Sequence, residues 1–483
     1  MHQNGFTLNL KPLEILTEEQ VEEVHRSTLR VLWETGVRMD SEWALGFLER
    51  SGCAVDRAAS RVRFPGDLVE ECLRRVPSRF AVQARDAKNN LEFGGNMLHF
   101  SHSSGMHTVD LETFEPRPAT RAEFIDCIRV LDALPTISCL GCYPYFGFEG
   151  APPVMAIPEG VALAMRHSTK HQTACYTNDC ELFTIQMAQA LGVEISGAAT
   201  STSPLAWGAE AIQEACRMAE AGLPIVTIDG CMMGGTGPAT AVGSVIVANA
   251  EQLALIVLVQ LLRPGQRMLI GHFAGAIHMA SGNPAFGEIG ASLNNSIWNQ
   301  MWRHYRVPCG NGSPGYTSAK TIDYQAGYEK SMAALASALS GVNHLLLHFG
   351  VAAEITAHPV QAVLDDDVAG MIGRFIAGEE VTEETLALDL IARIGPTPGH
   401  YLDTKHTARW WREEQYLPKA ADRLSYGEWM ARGKVSALDL ARERVEQILS
   451  SHQAAPLTPS QEEDLARILA DARKYYRQRG LLA

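Results

Sequence analysis

The sequence is poor in the features that mark several large classes of protein. Its 41 Lys and Arg residues are outnumbered by 55 Asp and Glu, and the formal net charge is -14. Because nucleic acids bind to clustered positive charge, we expect no nucleic-acid partner. No basic and then apolar leader follows Met1, and the ten cysteines are scattered. Both observations favour the reducing cytoplasm.

Several catalytic motifs are also missing. There is no G-x-S-x-G elbow of a serine hydrolase and no H-E-x-x-H zinc motif. The turn Gly234–Gly237 lacks the lysine of a phosphate-binding loop. Cys139 and Cys142 match C-x-x-C, but they fall in a predicted strand, where residues three apart point to opposite faces. His99 and His102 alone do not define a metal site, so we expect no metal.

The most distinctive stretch runs from Met232 to Gly265, where a glycine turn leads from a strand-like run into a long apolar helix. The helix is long enough to cross a bilayer. Because Asn249, Glu251, Gln252 and Gln260 interrupt it, we interpret it as a buried core helix or a subunit contact of a protein with no membrane partner. It favours a homo-oligomer.

From residue 96 onwards, short strand-like runs alternate with longer helical ones. The predicted strands are Met97–Ser101, Ile137–Tyr143, Gln172–Thr177, Ile195–Ser201, Pro224–Asp229, Met268–Phe273, Pro308–Asn311 and His344–Phe349. The predicted helices are 120–134, 157–168, 179–191, 208–222, 239–263, 287–306, 323–341 and 358–378.

This alternation predicts parallel strands with helical crossovers, in either an open doubly wound sheet or a closed barrel. Eight units favour an α/β fold of the TIM (β/α)8 barrel type, with His107–Arg117 as a hairpin at its mouth. We expect an α-rich N-terminal extension over 1–95, a catalytic barrel over 96–378 and a helical C-terminal extension over 379–483. Helix starts are indicated at Thr17, Ser41, Pro65, Thr382, Ser436 and Thr458.

A barrel enzyme carries its reactive side chains at the carboxyl ends of the strands. That rule selects a set rich in rings and imidazoles, with no arginine and one carboxylate. Its members are His99, His102, Tyr143, Tyr145, Tyr176, Asn178, Thr200, Ser201, Asp229, His272, Phe273, Asn311, His348 and Phe349. Aromatic faces attract a quaternary ammonium, although each ring taken singly could equally be core packing.

The chain also resembles a known family. Gly234–Gly243 running into Ala250-Glu-Gln-Leu253, together with Asp323-Tyr-Gln-Ala-Gly-Tyr-Glu329, is similar to the trimethylamine methyltransferase (MttB-like) family of corrinoid-dependent methyltransferases. Leu131–Pro135, Gly287-Glu288 and the tryptophan-containing tail agree with it. The resemblance covers essentially the whole chain.

The resemblance implies a TIM barrel that passes a methyl group from a methylated amine to the cobalt(I) of a separate corrinoid protein. The founding members carry pyrrolysine, which this sequence does not contain. In this respect the chain resembles the non-pyrrolysine branch of the family, whose members act on quaternary amines such as glycine betaine. The cofactor is then a corrinoid carried by the partner protein, and none is tightly bound to this chain.

Within that interpretation we expect a cage formed by Tyr143, Tyr145, Tyr176, Phe273 and Phe349. Asp229 or Glu329 is expected to supply a compensating negative charge. His348, Asn178, Asn311 and His272 are expected to bind the other end of the substrate, with His272 and His348 facing the barrel mouth. Two alternatives stay open: a zinc-dependent barrel methyltransferase acting on a thiol or alcohol, and a quaternary-amine-binding protein without turnover.

Overall fold

Eight parallel strands close into a barrel in the computed structural model, which describes residues 4–141 and 143–483. The strands are β1 (Met97–His102), β2 (Ile137–Leu140), β3 (His171–Ala174), β4 (Ile195–Thr200), β5 (Ile225–Ile228), β6 (Met268–His272), β7 (Cys309–Asn311) and β8 (His344–His348). They pair in sequence order, and β8 closes the ring on β1 through His344↔His99 and Leu345↔Phe100. The TIM (β/α)8 prediction is confirmed.

A helix follows every strand and covers the outside of the barrel. These helices are α1 (Arg121–Ala133), α2 (Ala156–His167), α3 (Glu181–Leu191), α4 (Ala209–Ala221), α5 (Ala241–Leu262), α6 (Ile289–Tyr305), α7 (Tyr324–Leu339) and α8 (Pro359–Ile376). Each lies within about two residues of its predicted bounds. By length and composition α5 could cross a membrane, yet 78% of its most apolar window is buried inside the chain.

One part of the segment before the barrel closes the amino-terminal end of the barrel, and another part pairs with the strand Ala206–Trp207 after β4. The helices of this segment are Glu18–Glu34, Glu42–Arg50 and Gly66–Arg75, which start after the predicted residues Thr17, Ser41 and Pro65. It also contains strands, which the helical prediction omits: Phe6–Thr7, Val37–Met39, Ala54–Asp56, Arg61–Arg63, Arg79–Val82 and Leu91–Gly94. The last two form a hairpin whose Phe80 and Phe93 pack with Val226 and Leu269 in one apolar cluster. This hairpin plugs the barrel.

The mouth of the barrel, at the carboxyl ends of the strands, is built by the connecting loops. Short strands decorate it: Thr108–Val109, Pro116–Arg117, Ala206–Trp207, Met232–Met233, Gly275–His278, Asn283–Ala285, Gly350–Val351 and Thr356–Ala357. The first two pair and confirm the predicted hairpin.

The chain after α8 is helical. Its helices are Glu383–Leu386, Leu388–Ile394, Lys405–Trp410, Tyr426–Ala431, Ala437–Ser451 and Pro459–Gln478. The predicted caps Thr382, Ser436 and Thr458 all form capping boxes. The last two helices pack against the barrel helices α8 and α3.

Candidate active site

Three aromatic rings meet at the mouth beyond β6 and β7. Phe273, the residue after β6, lies 5.6 Å from Phe286 and 5.3 Å from Tyr316 between ring centroids, and Phe286 is 5.5 Å from Tyr316. Phe273 is partly exposed and the other two are buried. We call this cluster the aromatic corner. It presents ring faces and edges in the tilted and T-shaped arrangements that aromatic pairs favour.

The loop that carries Tyr316 is held at two points by neighbouring residues of α7. Glu329 accepts hydrogen bonds from Thr317 Oγ1 at 2.5 Å and from the Ser318 amide at 2.8 Å. Lys330 donates to the carbonyl of Gly315 at 2.8 Å. Tyr316 is thus fixed from both sides, and its hydroxyl donates to the Ser104 carbonyl at 3.4 Å. Glu329, predicted to balance the substrate charge, acts here as a loop clamp.

The same clamp reaches Phe286. Ser318, whose amide is held by Glu329, donates from its hydroxyl to the Phe286 carbonyl at 3.0 Å and accepts from the Phe286 amide at 2.9 Å. Gly312 lets the Phe273 ring lie close to the end of β7, because a Cβ at this position would come within 2.8 Å of Phe273 Cδ2. The aromatic corner is therefore positioned by backbone contacts from three loops.

Asp229 and His272 lie together, but not at the mouth. His272 Nδ1 is 2.7 Å from Asp229 Oδ2, Nε2 is bonded to Asn294 Oδ1, and the ring stacks on Trp298 at 4.4 Å. Burial favours the neutral ring, but the charge and hydrogen bond of Asp229 outweigh it and raise the pKa of His272. Asn294 and Trp298 belong to α6. The pair joins the barrel wall to a helix, which corrects the prediction that His272 faces the mouth.

Asn311 and His348 also point into the layer between strands and helices. Asn311 Oδ1 accepts from Asn299 Nδ2 of α6 at 2.8 Å. His348 Nε2 lies 2.9 Å from Thr136 Oγ1, which itself donates to Asp366 of α8 at 2.6 Å. Burial, and then the charge of Lys330, lower the pKa of His348 well below its ordinary value. The prediction that His348 faces the mouth is therefore wrong.

The predicted cage does not form as one cluster. The rings of Tyr145 and Phe349 lie 5.5 Å apart, and both side chains are buried. The Tyr145 hydroxyl is 3.2 Å from Cys127 Sγ of α1, so this pair packs under a helix rather than around a ligand. Tyr143 lies elsewhere, with its ring 5.0 Å from Phe146. Of the five predicted rings, Phe273 belongs to the aromatic corner.

Tyr176 and Asn178 occupy the loop after β3. Tyr176 is partly exposed and donates from its hydroxyl to the Thr200 carbonyl at 3.3 Å. Asn178 has a positive φ of 50°, and its backbone N–H donates to Glu210 Oε1 at 2.9 Å. The next residue, Asp179, is bonded to Arg217, Tyr475 and Arg479. The C-terminal helix Pro459–Gln478 and the residues that follow it therefore fix this side of the mouth.

The strand residues that do face the barrel interior near the mouth are mostly apolar. Ile228 packs against the interior cluster of Val226 and Leu269 and is only partly buried. Its neighbour across the sheet is Thr200 on one side and Gly271 on the other. Leu346 of β8 is likewise partly exposed. The interior beneath the aromatic corner thus combines an aliphatic lining with one threonine.

A second carboxylate clamps the loop after β4. Glu251 of α5 is buried and accepts hydrogen bonds from Ser201 Oγ at 2.5 Å, Ser203 Oγ at 2.8 Å and the Leu205 amide at 2.8 Å. Burial, and then repulsion by Asp229, raise the pKa of Glu251 to about 7 in spite of these bonds. Two glutamates of the sequence motifs, Glu251 and Glu329, therefore hold mouth loops.

The raised pKa of Glu251 predicts a pH-dependent stability. A carboxyl that binds its proton more tightly in the folded chain contributes stability below its unfolded pKa of about 4.3, and this is lost as the pH rises through the folded pKa. As the pH rises from about 4 to about 7, we expect the free energy of unfolding of wild type to fall by about 3 kcal/mol relative to that of Glu251→Gln. Chemical denaturation of both proteins at several pH values measures the difference, with Glu34→Gln as an exposed control. A difference that stays constant with pH contradicts the prediction.

In the described residues, no three His, Cys, Asp or Glu side chains lie close enough to hold a metal ion. Cys142, the second cysteine of the C-x-x-C pair, lies outside those residues. The described residues therefore contain no ligand set for the zinc ion of the zinc-dependent alternative.

A closed eight-stranded barrel with an aromatic corner at its mouth defines the class of the protein. Its fold is that of the solved monomethylamine methyltransferase (MtmB) of Methanosarcina barkeri, with a TM-score of 0.54, 13% sequence identity, and coverage of 100% of this chain and 90% of that one. The hydroxylamine complex of MtmB gives a TM-score of 0.55 over 97% of this chain and 89% of that one, at 13% identity. The class is therefore that of TIM (β/α)8 barrel proteins.

The chain belongs to the trimethylamine methyltransferase (MTTB) family, whose model matches residues 2–475. It is 30% identical over 477 residues to a glycine betaine methyltransferase of Desulfitobacterium hafniense, covering 95% of this chain and 97% of that protein. It is 27% identical over 500 residues to the trimethylamine methyltransferase MttB of Methanosarcina barkeri, covering 98% and 97%. The predicted family is confirmed.

Proposed function

We propose that this chain transfers a methyl group from a betaine-type quaternary amine to the cobalt(I) of a separate corrinoid protein. The observation that carries the proposal is the full-length similarity to a glycine betaine methyltransferase. The absence of pyrrolysine from the sequence supports the same branch of the family. We propose that the protein works in the cytoplasm, which fits the nine free cysteines of the described chain, and as a homo-oligomer.

The aromatic corner suits a permanent cation. A quaternary nitrogen has no N–H to donate, so its main attraction to a protein is the negative face of an aromatic ring. Phe273 offers a partly exposed ring, and Tyr316 and Phe286 back it. Such a substrate already leaves as a neutral amine when its methyl group departs. The chain then has to hold and orient the cation, and it needs little acid–base catalysis.

The rim of the mouth suits a docked partner protein. Met106, Phe146, Met279 and Ile355 lie on the loops after β1, β2, β6 and β8, and all four are about half exposed or more. Exposed apolar side chains around a concave opening are typical of protein-binding surfaces. The corrinoid carried by that partner supplies the cobalt(I) nucleophile. The rim residues of this chain bind the partner and shield the mouth from water.

The other end of the substrate lies on the opposite side of the opening in this proposal. Tyr176 donates a hydrogen bond to the Thr200 carbonyl, and Thr200 pairs with Ile228 across the sheet. Asn178 follows two residues after Tyr176. The Thr200 hydroxyl and the side-chain amide of Asn178 can donate to a carboxylate or a hydroxyl group, and this favours a betaine or a choline-like alcohol over a bare trimethylammonium group.

The function predicts methyl transfer that depends on a quaternary nitrogen. We expect the purified protein to methylate cob(I)alamin with glycine betaine, carnitine or choline at least about tenfold faster than with trimethylamine, since the mouth is lined to receive a full cation. The change in cobalamin absorbance reports the reaction. Transfer from trimethylamine alone, or binding of a betaine without any transfer, would contradict the proposal.

A further inference from the structure

The chain after α8 contains a segment that has almost no core of its own. We call residues 381–412 the closed-end segment. It contains three short helices, Glu383–Leu386, Leu388–Ile394 and Lys405–Trp410, and Leu390 is its one buried residue, in a stretch that the structure describes in full. Helices of four to seven residues are unstable on their own and depend on packing.

Large apolar side chains concentrate in this segment. Twenty-six are exposed in the described part of the protein, and seven of them fall within these thirty-two residues. The seven are Val381, Leu386, Leu388, Ile391, Tyr401, Leu402 and Trp411. Leu402 is 84% exposed and Val381 is 80% exposed. Met371 and Phe375 are also exposed, on the last turns of α8 before the segment.

The segment is nonetheless held in one arrangement by polar contacts. Arg409 pairs with Glu384, and His406 Nε2 lies 3.2 Å from the Glu384 carbonyl, so the third helix is tied to the first. Arg374 of α8 pairs with Glu414 at 2.7 Å. Between the helices lies a groove of about 820 Å³, whose lining mixes apolar residues such as Leu386 and Leu388 with charged ones such as Asp389 and Arg393. The chain thus presents an ordered apolar surface rather than a loose tail.

The segment begins near the end of the barrel opposite the mouth. Phe6 and Thr7 pair with Leu98 and Met97 at the start of β1, and the Asn9 amide donates to the Ile376 carbonyl at the end of α8. The segment begins five residues beyond Ile376. A corrinoid protein that serves the mouth approaches the other end of the barrel. Some other surface must cover the closed-end segment.

The charge of the segment favours a second copy of this chain. The whole protein carries a net charge of -14, so two copies repel each other. The segment has four acidic and four basic residues and is neutral: Glu383, Glu384, Asp389, Asp403, Arg393, Lys405, Arg409 and Arg412. Mixed charges on one patch can pair across a twofold axis, where the same residues face each other in reverse order.

The apolar surface is also extensive. A stable interface takes about 800 Å² from each partner, and nine large apolar side chains of the segment and of α8 are exposed to contribute to it. We propose that the closed-end segment, with Met371 and Phe375, is the contact between two copies of this chain. The inference goes beyond the methyl-transfer proposal, because it concerns the assembly of the protein and does not depend on its substrate.

Sedimentation of the full-length protein over a range of concentrations tests the contact. We expect wild type to sediment as a dimer or a higher symmetric oligomer at micromolar concentration. Leu388→Glu combined with Leu402→Glu should weaken self-association at least about tenfold, because buried like charges would face each other across the axis. Both positions are exposed in the single chain, so its folding should be preserved. Trp33→Glu, at a half-exposed position on the N-terminal helix, is the matched control.

Hydrogen exchange of wild type gives an independent measurement. Amides of residues 381–412 should lose protection on dilution below the dissociation constant, while those of the barrel strands stay protected. A monomeric wild type, a double variant that still assembles, or protection of this segment that arises only on adding the corrinoid protein would overturn the proposal.

Discussion

Replacing Lys330 by methionine should destabilise the folded protein by about 3–5 kcal/mol, the usual cost of removing one member of a buried ion pair. Lys330 Nζ lies 3.0 Å from Asp365 Oδ2, and both side chains are almost completely buried. Burial lowers the pKa of Lys330 and raises that of Asp365. Desolvation therefore outweighs attraction at both groups. Without the ammonium, the Asp365 carboxylate has no counter-charge at this contact.

Lys330→Met should lose more folding stability than the loss of the ion pair alone would cost. The Lys330 ammonium also donates to the carbonyls of Gly315 at 2.8 Å and Gly350 at 3.1 Å, which belong to the loops after β7 and β8. Asp365 in turn accepts the amide of Phe349 at 2.9 Å. Phe349 has a φ of 91°, a strained value for a side chain of this size, so this hydrogen bond helps to maintain it.

Chemical denaturation of wild type and Lys330→Met measures the effect. Lys330→Met combined with Asp365→Asn should recover part of the lost stability, because the amide removes the uncompensated charge and can still accept from Phe349. Arg30→Met, which breaks an exposed pair with Glu34, should leave the unfolding free energy unchanged. A Lys330→Met protein as stable as wild type would show that the pair contributes nothing.

The sequence alone was sufficient to predict the framework of the barrel. Most of the β strands are short runs of apolar or small residues, and α1, α7 and α8 start at the recognisable caps Thr120, Asp323 and His358. These signals are local, so they need no knowledge of the tertiary structure. The hairpin formed by Arg79–Val82 and Leu91–Gly94 was not predicted, because no local pattern distinguishes a strand that plugs a barrel from an irregular connection.

The orientation of the strand-end residues was less predictable, although a usable signal was present. The carboxyl end of a strand offers side chains to both faces, and only one face is the barrel interior. Leu269 packs inside the barrel, so His272, three residues later, points outwards to α6. The same spacing separates Val226 from Asp229. These residues do lie at strand ends, but the alternation along each strand decides which of them can reach a substrate.

The two aromatic residues that complete the corner were missed for a different reason. Phe286 follows the hairpin Gly275–Ala285, and Tyr316 follows the turn Ser313–Gly315, so neither ends a barrel strand. Their meeting with Phe273 depends on the clamps of Glu329 and Lys330. Such contacts join distant parts of the chain and leave no periodic pattern. The glycine-rich run before Tyr316 was the one local sign of a specialised loop.

Removing a ring from the aromatic corner should weaken substrate binding strongly. A desolvated cation–π contact contributes about 2 kcal/mol, which corresponds to about a 30-fold change in a dissociation constant. We expect Phe273→Ala and Tyr316→Ala each to raise the KM for a quaternary amine by about this factor, with a smaller change in kcat, since the rings bind the cation before and during transfer. Steady-state methylation of cob(I)alamin with glycine betaine as the donor measures both constants.

Conservative variants distinguish ring recognition from a general loss of structure. Tyr316→Phe keeps the ring and removes the hydroxyl with its 3.4 Å hydrogen bond to Ser104, so its KM should stay within about threefold of wild type. Glu329→Gln keeps the shape of the clamp but replaces one acceptor oxygen by a donor opposite Thr317 or Gln325. It should raise KM less than Tyr316→Ala while leaving the Phe273 ring in place. If Tyr316→Phe impairs binding as much as Tyr316→Ala does, the hydroxyl rather than the ring face recognises the substrate, and the cation must be held elsewhere in the mouth.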